Sequence, residues 1–257
     1  MEAAPQGNSR PRLLLVPQLT ELEWVIKPLL EEWADVASYD APGVGAEPPA
    51  DDLGSEAVGK RGLAELDGRG WDRCVLVVDE FGAAAAAWIA SRRPEAVQAL
   101  AFGHARLSNS FERDGAPLNS EVYAACASLA RADPKTFIRQ LFMLTQGEQQ
   151  RGGYGEELVQ DYLRRVPVDL LGRFWETRPD EGESIGRVLG DLDAPLFLAK
   201  HEGCLLFTPE GYEAARTALP AARSMSFPEK PSVSPQFAEA LRTFCLDLHP
   251  APAESRP

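Results

Sequence analysis

The stretch Cys74-Val-Leu-Val-Val-Asp-Glu-Phe-Gly, followed by five alanines, places an acid where a short apolar run gives way to a helical pattern. Cys74 to Val78 read as a buried strand and the residues after Gly82 as a helix, so Glu80 tops the bend between them. Such a bend lifts one side chain to the carboxyl edge of a parallel sheet and aims it at the first turn of the following helix. A carboxylate held there can form an ester as a nucleophile or take a proton as a general base, and either role calls for a partner. The chain has three histidines, His104, His201 and His249. His104 and His201 each follow a predicted strand and could serve Glu80, whereas His249 lies in the carboxyl-terminal tail. Glu229 and Lys230 occupy the loop after the last predicted strand. Were Glu229 to meet Glu80, the two carboxyl groups would share a proton, a configuration suited to acid and base work. Were Lys230 to turn inward instead, it would form an ion pair with Glu80 and the site would be structural. Asp79 is expected at the sheet rim, in a salt bridge. Nothing in the spacing requires a metal, and no cofactor is expected.

The elements that must position these groups alternate along the chain. Strands are predicted at Arg12 to Val16, Val36 to Tyr39, Cys74 to Val78, Ala99 to Gly103, Pro195 to Lys200 and Ser224 to Phe227. Helices fall between them, at about Trp24 to Trp33, Ala57 to Gly70, along the alanine run, at Glu210 to Ala218 and at Ser234 to Leu246. Strand and helix in alternation, with crossovers long enough for parallel pairing, give a doubly wound sheet. From about Arg106 to Asp193 the strand signal stops, and helical patterns appear at Ser120 to Ala132, Pro134 to Gln146, Glu156 to Val166 and Asp169 to Glu176. An apolar stripe through these helices includes Phe137, Leu141, Phe142, Met143, Leu144, Tyr154, Tyr162, Phe174 and Trp175. It is larger than four short helices need for packing on one another, so part of it is expected to roof a pocket.

The elbow stretch resembles the nucleophile elbow of the α/β-hydrolase family, usually G-x-S-x-G followed by small residues and an A-x-x-x-P-E-x-V ending. Phe81, Gly82, Ala86, Ala90, Pro94, Glu95 and Val97 match, while Val78 stands at the first Gly and Glu80 at the nucleophilic Ser. A second stretch, Asp40-Ala-Pro-Gly-Val-Gly, resembles the family's D-x-P-G-x-G-x-S loop through Asp40, Pro42, Gly43 and Gly45. The resemblance implies an α/β fold with a mostly parallel sheet of about six strands and a helical cap inserted before the last two. Residues 12–105 and 194–248 would form the hydrolase core, 106–193 the cap, and 1–11 and 249–257 flexible tails. It also implies that the triad places are substituted: Glu80 for the nucleophile, about Cys204 for the acid, and Glu229, give or take one, for the histidine. Gln18, Leu19, Phe81, Lys230 and Cys204 are then candidate ligand contacts, Gln18 and Phe81 through backbone N–H donors. The function so implied is a noncatalytic or small-molecule-binding member of the superfamily. The alternative is a hydrolase or lyase that uses Glu80 as nucleophile or base with His201 or His104, as dehalogenases and epoxide hydrolases of this fold use a carboxylate.

Composition bounds the rest. A chain of 257 residues that is 44% hydrophobic can bury a large core. The net charge of -13 argues against binding a phosphate backbone, so the expected partner is a small molecule beneath the cap and not a nucleic acid. No apolar run approaches the ~18 residues of a membrane span, and no secretory h-region follows the amino terminus, so a cytoplasmic place is expected. Four cysteines without C-x-x-C spacing suit a reducing compartment.

Overall fold

The structure is a computed structural model that describes residues 10–17, 24–48, 54–79, 82–103, 112–113, 116–117, 120–146, 156–177, 185–204 and 209–248. Its main sheet has six parallel strands: β1 (Arg12–Leu15), β2 (Asp35–Ser38), β3 (Cys74–Val78), β4 (Val97–Phe102), β7 (Leu196–His201) and β8 (Arg223–Phe227). The spatial order β2-β1-β3-β4-β7-β8 reverses direction between β1 and β3. That reversal opens a crevice at the carboxyl edge, the usual place for a ligand in such sheets.

Alternation along each strand divides the core into two layers. Leu14, Leu76, Val78, Leu100, Phe102 and Leu198 face one way, against α2 (Ser55–Arg69) and α3 (Ala83–Arg92). Leu13, Leu15, Val75, Val77, Phe197 and Ala199 face the other way, against α1 (Lys27–Glu31) and α10 (Pro235–Asp247). Ala83 to Ala87 are all buried, so the alanine run lets α3 lie close on β3. Helix α1 is shorter than its periodicity suggests. A helix starting at Trp24 would carry Pro28 in its interior, where the ring meets the carbonyl four residues back and donates no hydrogen bond.

Between β4 and β7 the chain forms α4 (Ser120–Ala132), α5 (Pro134–Gln146), α6 (Glu156–Arg165), α7 (Val168–Thr177) and α8 (Ile185–Asp191). Sequence periodicity missed α8, a helix of 7 residues. It also missed a two-residue antiparallel pair, β5 (Glu112–Arg113) with β6 (Ala116–Pro117). Helix α9 (Pro209–Ala218) then joins β7 to β8.

Much of the apolar stripe of the inserted helices lies in the core. Phe137 and Phe174 each meet Trp175 edge to face, with ring centroids 5.6 and 5.5 Å apart, and Phe142 meets Tyr162 at 5.8 Å. All five rings are buried in the same cluster as α2 and α3. These residues are therefore core, packed on one another and on the sheet layer, while Met143 and Leu144 are exposed. Tyr154 lies outside the described residues. Among the described residues no helix is long and apolar enough to cross a membrane.

Candidate functional site

Backbone hydrogen bonds fix the end of β3 from both sides. Val16 N–H donates to the Val77 carbonyl at 2.9 Å, and Gly103 N–H donates to the Val78 carbonyl at 2.6 Å. Gly82 N–H then donates to the Asp79 carbonyl at 2.9 Å, closing the stretch that carries Glu80 and Phe81. Those two residues, with Gln18, Leu19 and His104, lie outside the described residues.

What the structure does place at this edge is a buried ion pair. The loop after β8 turns Lys230 inward, and its Nζ lies 3.8 Å from Oδ2 of Asp79, the side chains being 1% and 0% exposed. Glu229, the neighbouring candidate, is exposed. Of the two loop residues it is thus Lys230 that turns inward, and among the described residues it meets the Asp79 carboxylate. Local sequence explains the loop. Pro231 begins a short 3-10 turn, Val233 N–H and Ser234 N–H donate to the Lys230 and Pro231 carbonyls, and the Ser234 hydroxyl caps α10 by accepting from Phe237 N–H at 3.3 Å. Ser232 accepts from Ile26 N–H at 3.2 Å, which moors the loop to α1. Gly103 leaves the space for this arrangement: a Cβ there would stand 3.0 Å from the Asp79 carboxyl and 3.1 Å from Pro231.

His201 ends β7 opposite Phe227 of β8 and is 2% exposed. Strand alternation gives it the face of Phe197 and Ala199, and gives Asp79 the face of Val75 and Val77, which is the same one. The imidazole is therefore built into the sheet edge on the α10 side. Cys204, at the turn beyond, is buried, and its thiol donates to the Leu144 carbonyl on α5 at 4.0 Å. That contact places it between the sheet edge and the inserted helices.

The second motif loop holds the insertion to the core. Arg165, the last residue of α6, accepts from Gly45 N–H through its carbonyl at 2.9 Å, and its Nη2 meets Asp40 Oδ1 at 3.3 Å. Gly45 has φ +61°, and a Cβ would fall 2.4 Å from Asp40 Oδ2, so both conformation and space demand glycine. Beside this junction a cavity of about 570 Å³ opens at the carboxyl ends of β1 and β2. Sequence reading gave no sign of it, because Trp24, Lys27 and Arg165 come together through the fold alone. Among the described residues no group of three or more His, Cys, Asp or Glu is placed to hold a metal ion.

A six-stranded parallel sheet with helices on both faces, and further helices inserted before the last two strands, define the α/β-hydrolase fold. Solved structures agree over nearly the whole chain. A hydrolase from Oleispira antarctica superposes with a TM-score of 0.74 at 13% identity, over 94% of this chain and 93% of that one. An esterase from Exiguobacterium antarcticum gives 0.75 at 15% identity over 92% of both. The enol-lactonase from Burkholderia xenovorans gives 0.71 at 16% identity, over 96% and 94%. No family model and no curated protein matches the sequence. At these identities the likeness is one of fold.

Proposed function

We propose that this protein is a binding member of the α/β-hydrolase fold, without a Ser-His-Asp relay, that holds a small molecule and does not hydrolyse one. One observation carries the reading: the loop that in the resembling family supplies the imidazole turns a lysine inward, and its ammonium lies beside Asp79 with neither group exposed. An ammonium has no lone pair with which to accept the nucleophile's proton, and a carboxylate at the elbow has no proton to give up in the manner of serine. The pair pins the loop to the end of β3, which is a structural task. The cysteines at 74, 126, 204 and 245 are all free, which fits a cytoplasmic binder.

A second reading, a hydrolase or lyase with Glu80 as nucleophile or base, draws on His201, buried at the same edge and on the same face as Asp79. Glu80→Gln separates the two. Assayed against a panel of small esters, lactones and epoxides, the binding reading expects no turnover by the wild type that the variant abolishes. Turnover lost in Glu80→Gln with ligand affinity retained would establish the enzyme instead.

A further inference from the structure

We infer that the free edge of β8 is a docking surface for a second copy of this chain, the two strands pairing antiparallel about a two-fold axis through Met225. This goes beyond the binding reading and holds whether or not the fold retains chemistry. β8 ends the sheet order β2-β1-β3-β4-β7-β8, so among the described residues only β7 lies beside it. It pairs with β7 in unbroken register, with no bulge to turn the edge away, and Arg223, Met225 and Ser226 are exposed. The opposite edge is less suited: the exposed residues of β2 are Asp35 and Ser38, and its apolar side chains are buried or half-buried.

The register follows from which backbone groups point outward. The Phe227 carbonyl accepts from Glu202 N–H, just past β7, at 3.0 Å, so the backbone groups of Phe227, Met225 and Arg223 face β7 and those of Ser224 and Ser226 face away. A two-fold axis makes like strands antiparallel, and with the axis at Met225 each Ser224 stands opposite Ser226 of the second copy. Both of these pairs can exchange N–H···O=C bonds in each direction. Met225 then faces its counterpart in a non-hydrogen-bonded pair, the closer kind, with Cα atoms about 4.5 Å apart. Two thioethers, each 38% exposed in the single chain, cover one another there. Other axes fit less well. One at Arg223 sets two guanidinium groups opposite each other, one at Ser224 sets Met225 against Arg223, and one at Ser226 sets Ser224 against Pro228, which has no N–H.

Side-chain chemistry agrees with this axis. Met225 shares the face of Phe227, towards α10, and on that face Arg223 donates from Nη1 to Asp247 of α10 at 2.9 Å. That contact uses one arm of the guanidinium fork. Diagonally across the paired strands from Arg223 stands Glu229 of the second copy, exposed just beyond β8, and the axis repeats the juxtaposition. Opposite charges are thus set together at both ends of the pairing. On α10 the residues that share the side of Asp247 are Thr243, one turn back, and Ala240, two turns back, both short, so the helix leaves the edge clear. Each copy carries a net charge of -13, whose mutual repulsion keeps the association weak.

Sedimentation of the full chain from about 1 to 500 μM reads the association. The expected mass rises from 28.0 kDa towards twice that value across the range. Ser226→Pro deletes an outward N–H that β7 does not use, and Met225→Lys sets two ammonium groups face to face. Each should weaken association by about tenfold or more with an unchanged melting curve. Glu229→Arg should weaken it several-fold, and Arg223→Glu in the same chain should restore it. Met225→Cys, oxidised with copper phenanthroline, should give a disulfide-linked dimer, because the Cα spacing of that pair admits the bond, whereas Ser226→Cys and the wild type should not. A monomer throughout the range, association unchanged by Ser226→Pro, or equal cross-linking at positions 225 and 226 would overturn the inference. So would dimers that form only once residues 249–257 are removed, a result that would assign the edge to the chain's own tail.

Discussion

Replacing Lys230 with methionine removes the cation from a pair in which both side chains are buried, while keeping the length and most of the volume of the side chain. At 3.8 Å the raw attraction is about 4 kcal/mol for an effective dielectric of about 20. Taking one partner from a buried pair costs about 3–5 kcal/mol, because the remaining charge stays in a site that water does not reach. The separation is longer than a hydrogen bond, which puts the expectation at the lower end, about 3 kcal/mol. For a chain of this size that corresponds to a fall in Tm of about 6 °C or somewhat more. Thermal unfolding followed by circular dichroism measures it directly. Asp79→Asn combined with Lys230→Met should recover at least half of the loss, since neither charge is then buried. A single variant that melts within about 1 °C of the wild type, or a double variant that adds the two losses, would refute the idea that this pair pins the loop to β3.

Close helix packing gives the next expectation. A Cβ at Gly59 would come 2.5 Å from the Trp88 ring and one at Gly62 would come 2.6 Å from the Tyr39 hydroxyl, so Gly59→Ala and Gly62→Ala should each cost about 1–3 kcal/mol in denaturant unfolding despite alanine's better helix propensity. Burial pushes the thiols of Cys74 and Cys245 up to about 12, so a thiol reagent at pH 8 should leave both unlabelled in the native protein and modify them on unfolding, as peptide mapping would show. Glu156 is held down to about 2 by hydrogen bonds from Gln160, one turn further along α6, and from Lys135 and Arg139, which tie α6 to α5. Its folded value lies below the unfolded one of about 4.3, so this contribution is complete above about pH 5 and fades as pH falls toward 2; the stability difference between wild type and Glu156→Gln should fade over the same range.

Much of the architecture is legible in the residues because local patterns dictate it. The apolar runs at Leu13 to Leu15 and Cys74 to Val78 alternate between two buried layers, and the five alanines permit α3 to approach the sheet. In the Asp40 loop, Gly43 and Gly45 both take positive φ, a conformation that glycine adopts readily. Where reading from sequence stopped short, the deciding contacts join distant parts of the chain. Nothing near Lys230 says that its partner is Asp79, because that choice depends on Pro231 crossing the end of β4, where Gly103 makes room. Nor do the four inserted helices by themselves show that their buried rings share a cluster with α2 and α3. The cavity was invisible for a similar reason: Arg165 reaches it from α6, through the bond between its carbonyl and Gly45.

The central claim is that no hydroxyl in this fold is activated by an imidazole. A fluorophosphonate probe carrying a fluorophore tests it most directly, because it reacts with a serine only when a general base raises that serine's nucleophilicity. Native protein incubated with the probe at neutral pH should show no labelling above that of heat-denatured protein. Stoichiometric labelling of a single serine, abolished by replacing His201, would contradict the account.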